Sequence, residues 1–303
     1  MTIRSEFEYG ILRLTIDRPA QRNAFNADMF DQLAGELDAA RQNDKVRVVL
    51  LKGSTGLFSA GADVRESLNA PETIDAAAGR LFETLRSFPK PIVAEVAGPA
   101  VGDAFTILLY CDLVYASDKA LFSVPSVALG RTPRFGTAAL VFGSAGAARA
   151  AEKLLLCEPI SADDALAMRL ISAVVPEDDL VKVVAAKVAR LAVLPPQAVA
   201  ATKSLLRDAR NGWLTAQIEN ARGGLSPSGG FARSQGSALR LRRRPQAGLR
   251  RDGRLIPFGA FRTTSDAPKK GIQPSPLCCV FTTFLHDGLP CRPFSFLARP
   301  LLS

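Results

Sequence analysis

The sequence predicts an α/β fold with mainly parallel strands. Two patterns support this prediction: short apolar runs bounded by proline or glycine, and longer stretches in which apolar residues recur every three or four positions. The first pattern is typical of buried strands and the second of amphipathic helices. Their alternation along the chain favours a parallel sheet covered by helices. Hydrophobic residues make up 48% of the 303 residues, which is ample for a core.

The N-terminal elements follow from local signals. Apolar and polar residues alternate over 12–16, which predicts a half-buried strand, and Asn26 is the predicted N-cap of the next helix. A buried strand is predicted over 46–51. Pro71 opens an amphipathic helix, which the proline-containing segment 88–91 ends.

The segment 92–112 is the stretch around which the rest is organised. Its apolar start predicts a buried strand, and the residues after Gly102 predict a helix. The first amides of a helix have no partner within it and lie at the positive end of its dipole, so they can bind a negatively charged oxygen. The small-residue loop 57–64 follows the strand 46–51 and is the expected second half of an oxyanion site.

The next part of the chain is predicted to change from strands to helices. Strands are predicted near 113–116 and 120–124, and the chain beyond Gly130 is predicted to be mainly helical. Ser161 is the predicted cap of a short helix that ends near Leu170.

Two longer helices are predicted after a short strand or turn over 174–176. The first spans 180–194, and its apolar side is predicted to contain Val181, Val184, Val188 and Leu191. Pro195 and Pro196 separate it from a second helix, which is predicted to extend to about Arg210.

The end of the chain has a different composition. Residues 1–220 hold 24 Lys and Arg against 26 Asp and Glu, whereas residues 221–303 hold 14 against 3. We divide the chain into an α/β core over 1–195, a helical region over 196–222 and a basic Gly-, Pro- and Arg-rich tail over 223–303. The tail lacks any helical or strand period and is predicted to be disordered, or to be the product of an altered reading frame. A basic arm that binds RNA is the less favoured alternative, because its arginine clusters lack interleaved aromatic residues.

Composition also excludes several kinds of chemistry. The only histidine is His286 in the tail, so Ser-His-Asp, Cys-His and His-ligated metal sites are excluded from the core. Cys111 and Cys157 are predicted to be core residues, and no metal site is predicted. No apolar run reaches the roughly 18 to 20 residues that span a bilayer. The first residues also lack an apolar signal core, so we expect a soluble cytoplasmic protein without a membrane partner.

Several motifs resemble those of one family. The motifs are Asp17-Arg18-Pro19, Asn23-Ala24-Phe25, the two oxyanion segments 57–64 and 92–112, and Leu129-Gly130. In this order they resemble the enoyl-CoA hydratase/isomerase (crotonase) superfamily, and the similarity covers about residues 3 to 215. Within that superfamily, 98–102 and 111–117 are most similar to the Δ3,Δ2-enoyl-CoA isomerase branch.

The resemblance implies a fold, a ligand and an assembly. The fold would be the crotonase-like spiral of ββα units, followed by C-terminal helices that pack against neighbouring subunits. The ligand would be an acyl-CoA thioester, with coenzyme A as part of the substrate and no other cofactor. The implied assembly is a homotrimer or a dimer of trimers.

The resemblance also implies site residues. The backbone N–H groups of Ala62 and Asp103 would stabilise negative charge on the thioester oxygen, and the adjacent glycines would let the ligand approach. Residues expected to contact the substrate are Arg22, Ser59, Ala60, Gly61, Asp63, Val64 and Gly102.

The expected catalytic glutamates are absent. The two positions of the hydratase pattern hold Thr106 and Ser126, and the single position of the isomerase pattern holds Arg134. Arginine stays protonated, so Arg134 is expected to bind an anionic group or to orient the thioester. Asp103 is the nearest substitute base in sequence, although a capping or polar contact at the helix start is favoured for its side chain.

The sequence is compatible with two functions. The favoured one is an enzyme that stabilises a thioester enolate while it isomerises an enoyl-CoA. Isomerisation is preferred to hydration because the hydratase pattern uses two acids and neither position has one. The alternative is a non-catalytic protein that binds CoA thioesters or assists assembly and has lost the base.

Overall fold

The computed structural model of the protein describes the backbone of residues 3–222, and side chains as far as residue 212 together with that of Leu214. The predicted tail, 223–303, lies outside the described residues. The strands are β1 (Ile3–Glu8), β2 (Ile11–Ile16), β3 (Val48–Gly53), β4 (Ile92–Val96), β5 (Ala100–Val101), β6 (Leu113–Ser117), β7 (Leu121–Ser123), β8 (Ile160–Ser161) and β9 (Ala173–Val175). The helices are α1 (Ala27–Gln42), α2 (Val64–Asn69), α3 (Pro71–Ser87), α4 (Asp103–Tyr110), α5 (Thr137–Ala145), α6 (Ala147–Leu155), α7 (Ala162–Ala167), α8 (Glu177–Val193) and α9 (Pro196–Arg222).

The strands form two sheets. The larger has the order β1-β2-β3-β4-β6-β9, and the smaller has the order β5-β7-β8. Of the described strands in the larger sheet, only β1 and β2 pair antiparallel, which confirms the prediction of mainly parallel strands. Strand β1 was not predicted, because three polar residues separate its two apolar residues, Ile3 and Phe7, and only Ile3 is buried.

Helices cover both faces of the larger sheet. Val49 and Leu51 of β3 pack in the core that contains α1 and α3, whereas Val48 and Leu50 pack against α8. A strand that is buried on both faces is apolar at successive positions, and this explains the continuous apolar run that predicted β3. The strand begins at Val48, two residues later than predicted.

The predicted helix caps are present. The Asn26 side chain accepts a hydrogen bond from the Met29 amide at 3.0 Å at the start of α1. The Ser161 hydroxyl accepts from the Asp164 amide at 3.1 Å at the start of α7. Each side chain therefore pairs one backbone amide that has no partner within its helix.

Helix α7 is shorter than predicted. It ends at Ala167, whereas the sequence predicted an end near Leu170. Arg169 adopts a left-handed conformation with φ of 59°. A left-handed residue commonly follows the last turn of a helix, and it turns the chain away from the helix axis.

The prediction of the apolar side of α8 was wrong at one residue. Leu180, Val184 and Val188 are buried, but Val181 is exposed. Positions 180, 184 and 188 lie one turn apart on one side of the helix, and Val181 is rotated away from them. The buried side therefore begins with Leu180, which was not included in the prediction.

Helix α9 is attached to the core by a buried lysine. The Lys203 ammonium donates to the Asp112 carboxylate at 2.7 Å and to the Lys90 carbonyl at 2.6 Å. The same Asp112 oxygen accepts from the Ile92 amide at 2.7 Å. These bonds fix α9 beside the start of β4, and the helix extends beyond the predicted end near residue 210.

Within the described part of the chain, no single helix is long and apolar enough to cross a membrane. Helix α8 and the part of α9 as far as Gly212 reach the necessary length and hydropathy only when taken together, and they are bent by 110° relative to each other. The buried side of α8 packs on the larger sheet.

We expect Lys203→Met to destabilise the fold by about 2 kcal/mol, because it removes a buried donor from a carboxylate and a carbonyl. The measurement is the urea midpoint, with Lys187→Met as the control because Lys187 is exposed on α8. Equal midpoints for the two variants would contradict this account of how α9 is held.

Candidate functional site

Two loops lie side by side at the ends of neighbouring strands. We call the segment 59–63, which follows β3, the first loop. The segment 98–102, which follows β4 and includes the two-residue strand β5, is the second loop. The Ser59 amide donates to the Pro99 carbonyl at 3.1 Å, and the Val101 amide donates to the Ser59 carbonyl at 3.0 Å. This parallel bridge joins the two segments that the sequence predicts as halves of one site.

A third segment holds the first loop from its other side. The Phe25 amide donates to the Gly61 carbonyl at 2.8 Å, and the Asp63 amide donates to the Phe25 carbonyl at 2.7 Å. Ala62 lies between these two bonds and is the bridge partner of Phe25. The backbone on both sides of Ala62 is therefore fixed.

Gly61 brings the first loop against the start of α4. Its φ is 88°, and a Cβ on it would lie 2.4 Å from the Val101 carbonyl oxygen and 3.4 Å from the Asp103 amide nitrogen. Any larger residue would clash with the backbone of the second loop. The structure thus places the residue before Ala62 next to the Asp103 amide.

The start of α4 presents amides that have no partner within the helix. Gly102 precedes the helix with φ of 58° and ψ of −121°, a conformation suited to glycine, and its own amide donates to the Ser123 carbonyl at 2.8 Å. The Thr106 amide closes the first turn of the helix by donating to the Gly102 carbonyl at 3.0 Å. The Asp103 amide, at the first position of the helix, lies at the positive end of the helix dipole.

Asn23 supports the segment that leads from β3 into the first loop. The Asn23 side chain is fully buried, and its oxygen accepts from the Arg18 amide at 2.9 Å. Its amide group donates to the carbonyls of Ser54, Leu57 and Phe58 at 3.2, 3.0 and 3.3 Å. The motif that contains Asn23 contributed to the resemblance, but sequence reasoning assigned this residue no role.

Ser59 shapes its loop from the inside. Its side chain is fully buried, donates to the Asn23 carbonyl at 2.7 Å and accepts from the Gly61 amide at 3.0 Å. The resemblance implied contact with substrate, whereas the structure places the Ser59 hydroxyl within the protein.

The other residues expected to contact the substrate lie around the same loop. The Arg22 carbonyl accepts from the Ala60 amide at 3.0 Å, and the Arg22 residue itself is exposed. Ala60 and Ala62 are partly exposed, and Val64 is exposed. These positions are accessible to a ligand at the surface of the loop.

Asp63 holds the loop and starts α2. One carboxylate oxygen accepts from the Arg65 and Glu66 amides at 2.9 and 3.3 Å, and the other accepts from Arg18 at 2.7 Å. Burial raises the pKa of Asp63, but the hydrogen bond from Arg18 and those from the backbone outweigh burial and lower the pKa below its usual value. The side chain is therefore a structural anion.

The hydratase positions hold no carboxylate. Thr106 is 2% exposed, and its hydroxyl lies 2.7 Å from that of Thr137 and 3.2 Å from the Gly102 carbonyl oxygen. Ser126 precedes a short 3-10 turn, and its carbonyl accepts from the Arg131 amide at 2.8 Å. Neither side chain has the basicity of a general base.

The isomerase position holds an arginine between two carboxylates. Arg134 donates from Nη1 to Asp75 of α3 and from Nη2 to Asp103 at 2.7 Å. The side chains of Asp75, Arg134 and Asp103 are 22%, 19% and 12% exposed, and we call these three residues the Arg134 ion cluster. Burial lowers the pKa of Arg134, but the charges of Asp103 and Asp75 outweigh burial and raise the pKa above its usual value.

Two members of the Arg134 ion cluster, Arg134 and Asp103, were considered from the sequence, and the third, Asp75, was missed. The Asp103 side chain makes a polar contact with Arg134 and does not cap α4, whose cap residue is Gly102. Asp75 was missed because it is one polar residue on an amphipathic helix. No sequence pattern connects it with Arg134, which lies 59 positions further along the chain.

Two other acidic side chains, Glu66 and Glu95, lie on elements next to the loops. Glu66 accepts from the Ala27 amide at 3.2 Å. Glu95 is buried on β4 beside Lys52 of β3; burial raises the pKa of Glu95, and Lys52 acts in the opposite direction. Among residues 3–222, no group of three His, Cys, Asp or Glu residues could hold a metal ion.

We expect Gly61→Ala to destabilise the fold by about 3 kcal/mol, because the new methyl group meets a backbone carbonyl at a positive φ. The control is Gly79→Ala in α3, where a Cβ meets no atom within 4 Å and the helix gains up to about 1 kcal/mol. Thermal unfolding of both variants checks this, and a Gly61→Ala midpoint at or above that of the native protein would contradict it.

The lowered pKa of Asp63 predicts a pH dependence of stability. A carboxyl whose pKa is lower in the folded protein stabilises it above the unfolded pKa, and the effect disappears as the pH falls through the folded value. Asp63→Asn should therefore be less stable than the native protein above about pH 5, and the difference should shrink below about pH 4. Urea titrations from about pH 2 to 7 measure it, with Asp38→Asn on the surface as the control; a difference that is constant with pH would refute the prediction.

Known proteins share this sequence pattern. A family model described as enoyl-CoA hydratase/isomerase matches residues 6–226. The 2,3-dehydroadipyl-CoA hydratase of Escherichia coli (strain K12) is 33% identical over 214 residues, which are 70% of this chain and 84% of that protein. Enoyl-CoA delta isomerase 2 of Rattus norvegicus is 33% identical over 207 residues, which are 66% of this chain and 53% of the rat protein. The chain thus spans about half the length of the rat relative.

Solved structures share the fold. An enoyl-CoA hydratase/isomerase from Pseudoalteromonas atlantica T6c has a TM-score of 0.72 and 29% identity, covering 80% of this chain and 98% of that one. An enoyl-CoA hydratase from Mycobacterium avium subsp. paratuberculosis K-10 has a TM-score of 0.71 and 31% identity, covering 80% and 96%. These similarities confirm the resemblance, including its isomerase branch, and the chain belongs to the enoyl-CoA hydratase/isomerase family with a crotonase fold.

Proposed function

We propose that the protein binds an acyl-CoA thioester with the thioester oxygen between the backbone N–H groups of Ala62 and Asp103. The observation that supports this most directly is the backbone bridge between the loops, together with the approach of Gly61 to the Asp103 amide. Fixed donors of this kind stabilise an enolate without having to reorganise, and each is commonly worth about 3 kcal/mol. Coenzyme A enters as part of the substrate, so the proposal requires no other cofactor.

The reaction we propose is isomerisation of an enoyl-CoA double bond. Addition of water in the hydratase pattern uses two carboxylates, and here those positions are a buried threonine, Thr106, and Ser126. Isomerisation moves one proton within the substrate and uses one base. The absence of glutamate from both hydratase positions therefore favours isomerisation over hydration.

A second candidate is a CoA-thioester-binding protein without catalytic activity. The observation that favours it is the Arg134 ion cluster, because a permanently charged guanidinium occupies the position of the isomerase base. Arginine does not act as a base at physiological pH. Binding of the thioester would then remain while proton transfer is lost.

We further propose that the protein assembles as a homotrimer or a dimer of trimers. Large apolar side chains on the helical part support self-association: Leu155, Leu156, Leu205 and Leu206 are each 65% exposed or more. Apolar side chains of this size favour burial at an interface between subunits.

The test is incubation of the purified protein with 3-enoyl-CoA in deuterated water, followed by mass spectrometry. We expect conversion to 2-enoyl-CoA with deuterium incorporation, and the same product from the surface control Arg190→Glu. An Arg134→Glu variant is measured in parallel. An inactive native protein beside an active Arg134→Glu variant would contradict the isomerase proposal and favour the binding protein.

A further inference from the structure

The Arg134 ion cluster joins three elements at the proposed site. Asp75 comes from α3, Asp103 begins α4, and Arg134 lies in the segment before α5. Asp103 is also the residue whose amide is proposed to bind the thioester oxygen. Both carboxylates of the cluster are therefore held near the position where the isomerase pattern has its glutamate.

The guanidinium is fixed in place by aromatic packing. Arg134 Cζ lies 4.8 Å from the centre of the Phe135 ring, and that ring stacks on Phe82 with centroids 4.2 Å apart. The Tyr110 hydroxyl donates to the Phe135 carbonyl at 2.8 Å. A carboxylate bound to this guanidinium is thus held by a rigid support, as proton transfer from carbon requires.

Charge in this region suits the formation of an enolate. Arg131 also lies near the cluster: burial and the Arg134 charge lower its pKa, while Asp75 and Asp103 act in the opposite direction. The carboxylates of Asp75 and Asp103 and the guanidinium groups of Arg131 and Arg134 have a net charge of zero. Once one carboxylate takes up a proton, the group carries one positive charge, which attracts the negative enolate.

We infer that Asp75 is the general base of the proposed isomerisation, with Arg134 as its positioning residue. This inference rests on the proposed function. Asp75 is the more exposed of the two carboxylates, at 22% against 12% for Asp103. Asp103 contributes its amide beside the thioester oxygen, whereas the base must reach the acyl carbons.

In the proposed step the substrate loses one proton at C2 and gains one at C4. The Asp75 carboxylate takes a proton from C2 of 3-enoyl-CoA, and the electron pair of that bond delocalises onto the thioester oxygen. The protonated Asp75 carboxyl exchanges its proton with solvent in part of the turnovers, which is how deuterium enters. Asp75 then delivers a proton to C4 as the double bond moves from C3–C4 to C2–C3. The carboxylate is regenerated, and no other reactant is required.

The Arg134 guanidinium has two roles in this step. Its positive charge stabilises the enolate that forms. Arg134 also fixes the direction of the carboxylate, as a positioning residue does.

The test compares Asp75→Asn with Asp31→Asn. Asp31 of α1 pairs with Arg80 of α3 on the surface, so both substitutions remove a carboxylate that is paired with an arginine. We expect Asp75→Asn to lower kcat with 3-enoyl-CoA by about 100-fold or more and to abolish deuterium exchange at C2, with Kd for butyryl-CoA within about threefold of native. Asp31→Asn should stay within about twofold of native in all three measurements.

Several outcomes would overturn the inference, and they can be told apart. Native activity that persists in Asp75→Asn would reject Asp75 as the base and leave the proposed function intact. An inactive native protein that still binds butyryl-CoA would reject both the base and isomerisation. If Asp75→Asn unfolds, the double variant Asp75→Asn/Arg134→Gln removes both charges, and retained C2 exchange by that variant would also reject the inference.

Discussion

The backbone bridge between Ser59 and Ala100 is the constraint on which the site depends. It joins loops that follow two neighbouring parallel strands, so the position of one loop is set by that of the other. Backbone hydrogen bonds of this kind do not depend on flexible side chains, and the groups they position have little freedom to move. The side chain of Asn23 adds a second support, because it holds the loop carbonyls from the buried side.

Much of the fold was predictable because it depends on local patterns. The apolar runs of β3 and β4, the Asn26 cap and the start of α3 at Pro71 each have a signal within a few residues. Strand β1 has no such local signal, because its extended conformation depends on its pairing with β2. The exposed position of Val181 depends on which side of α8 meets the sheet, and both sides of that helix carry apolar residues.

The sequence predicted the two backbone loops of the candidate site, but it did not predict the ion pairs between the side chains. Glycines and small residues mark the two loops because only they permit a close approach of the backbones, as at Gly61. Ion pairs between distant residues leave no comparable pattern. Asp75 and Arg134 are 59 positions apart, so only the packing of α3 beside the segment before α5 brings them together.

The hydroxyl pair of Thr106 and Thr137 has a consequence for any redesign of this site. A glutamate at position 106 would have to place its charge where the present side chain is deeply buried, and it would break the contact between α4 and α5. An unpaired buried charge is strongly unfavourable. A single Thr106→Glu substitution would therefore destabilise the fold, and a carboxylate at this position requires a compensating change at Thr137.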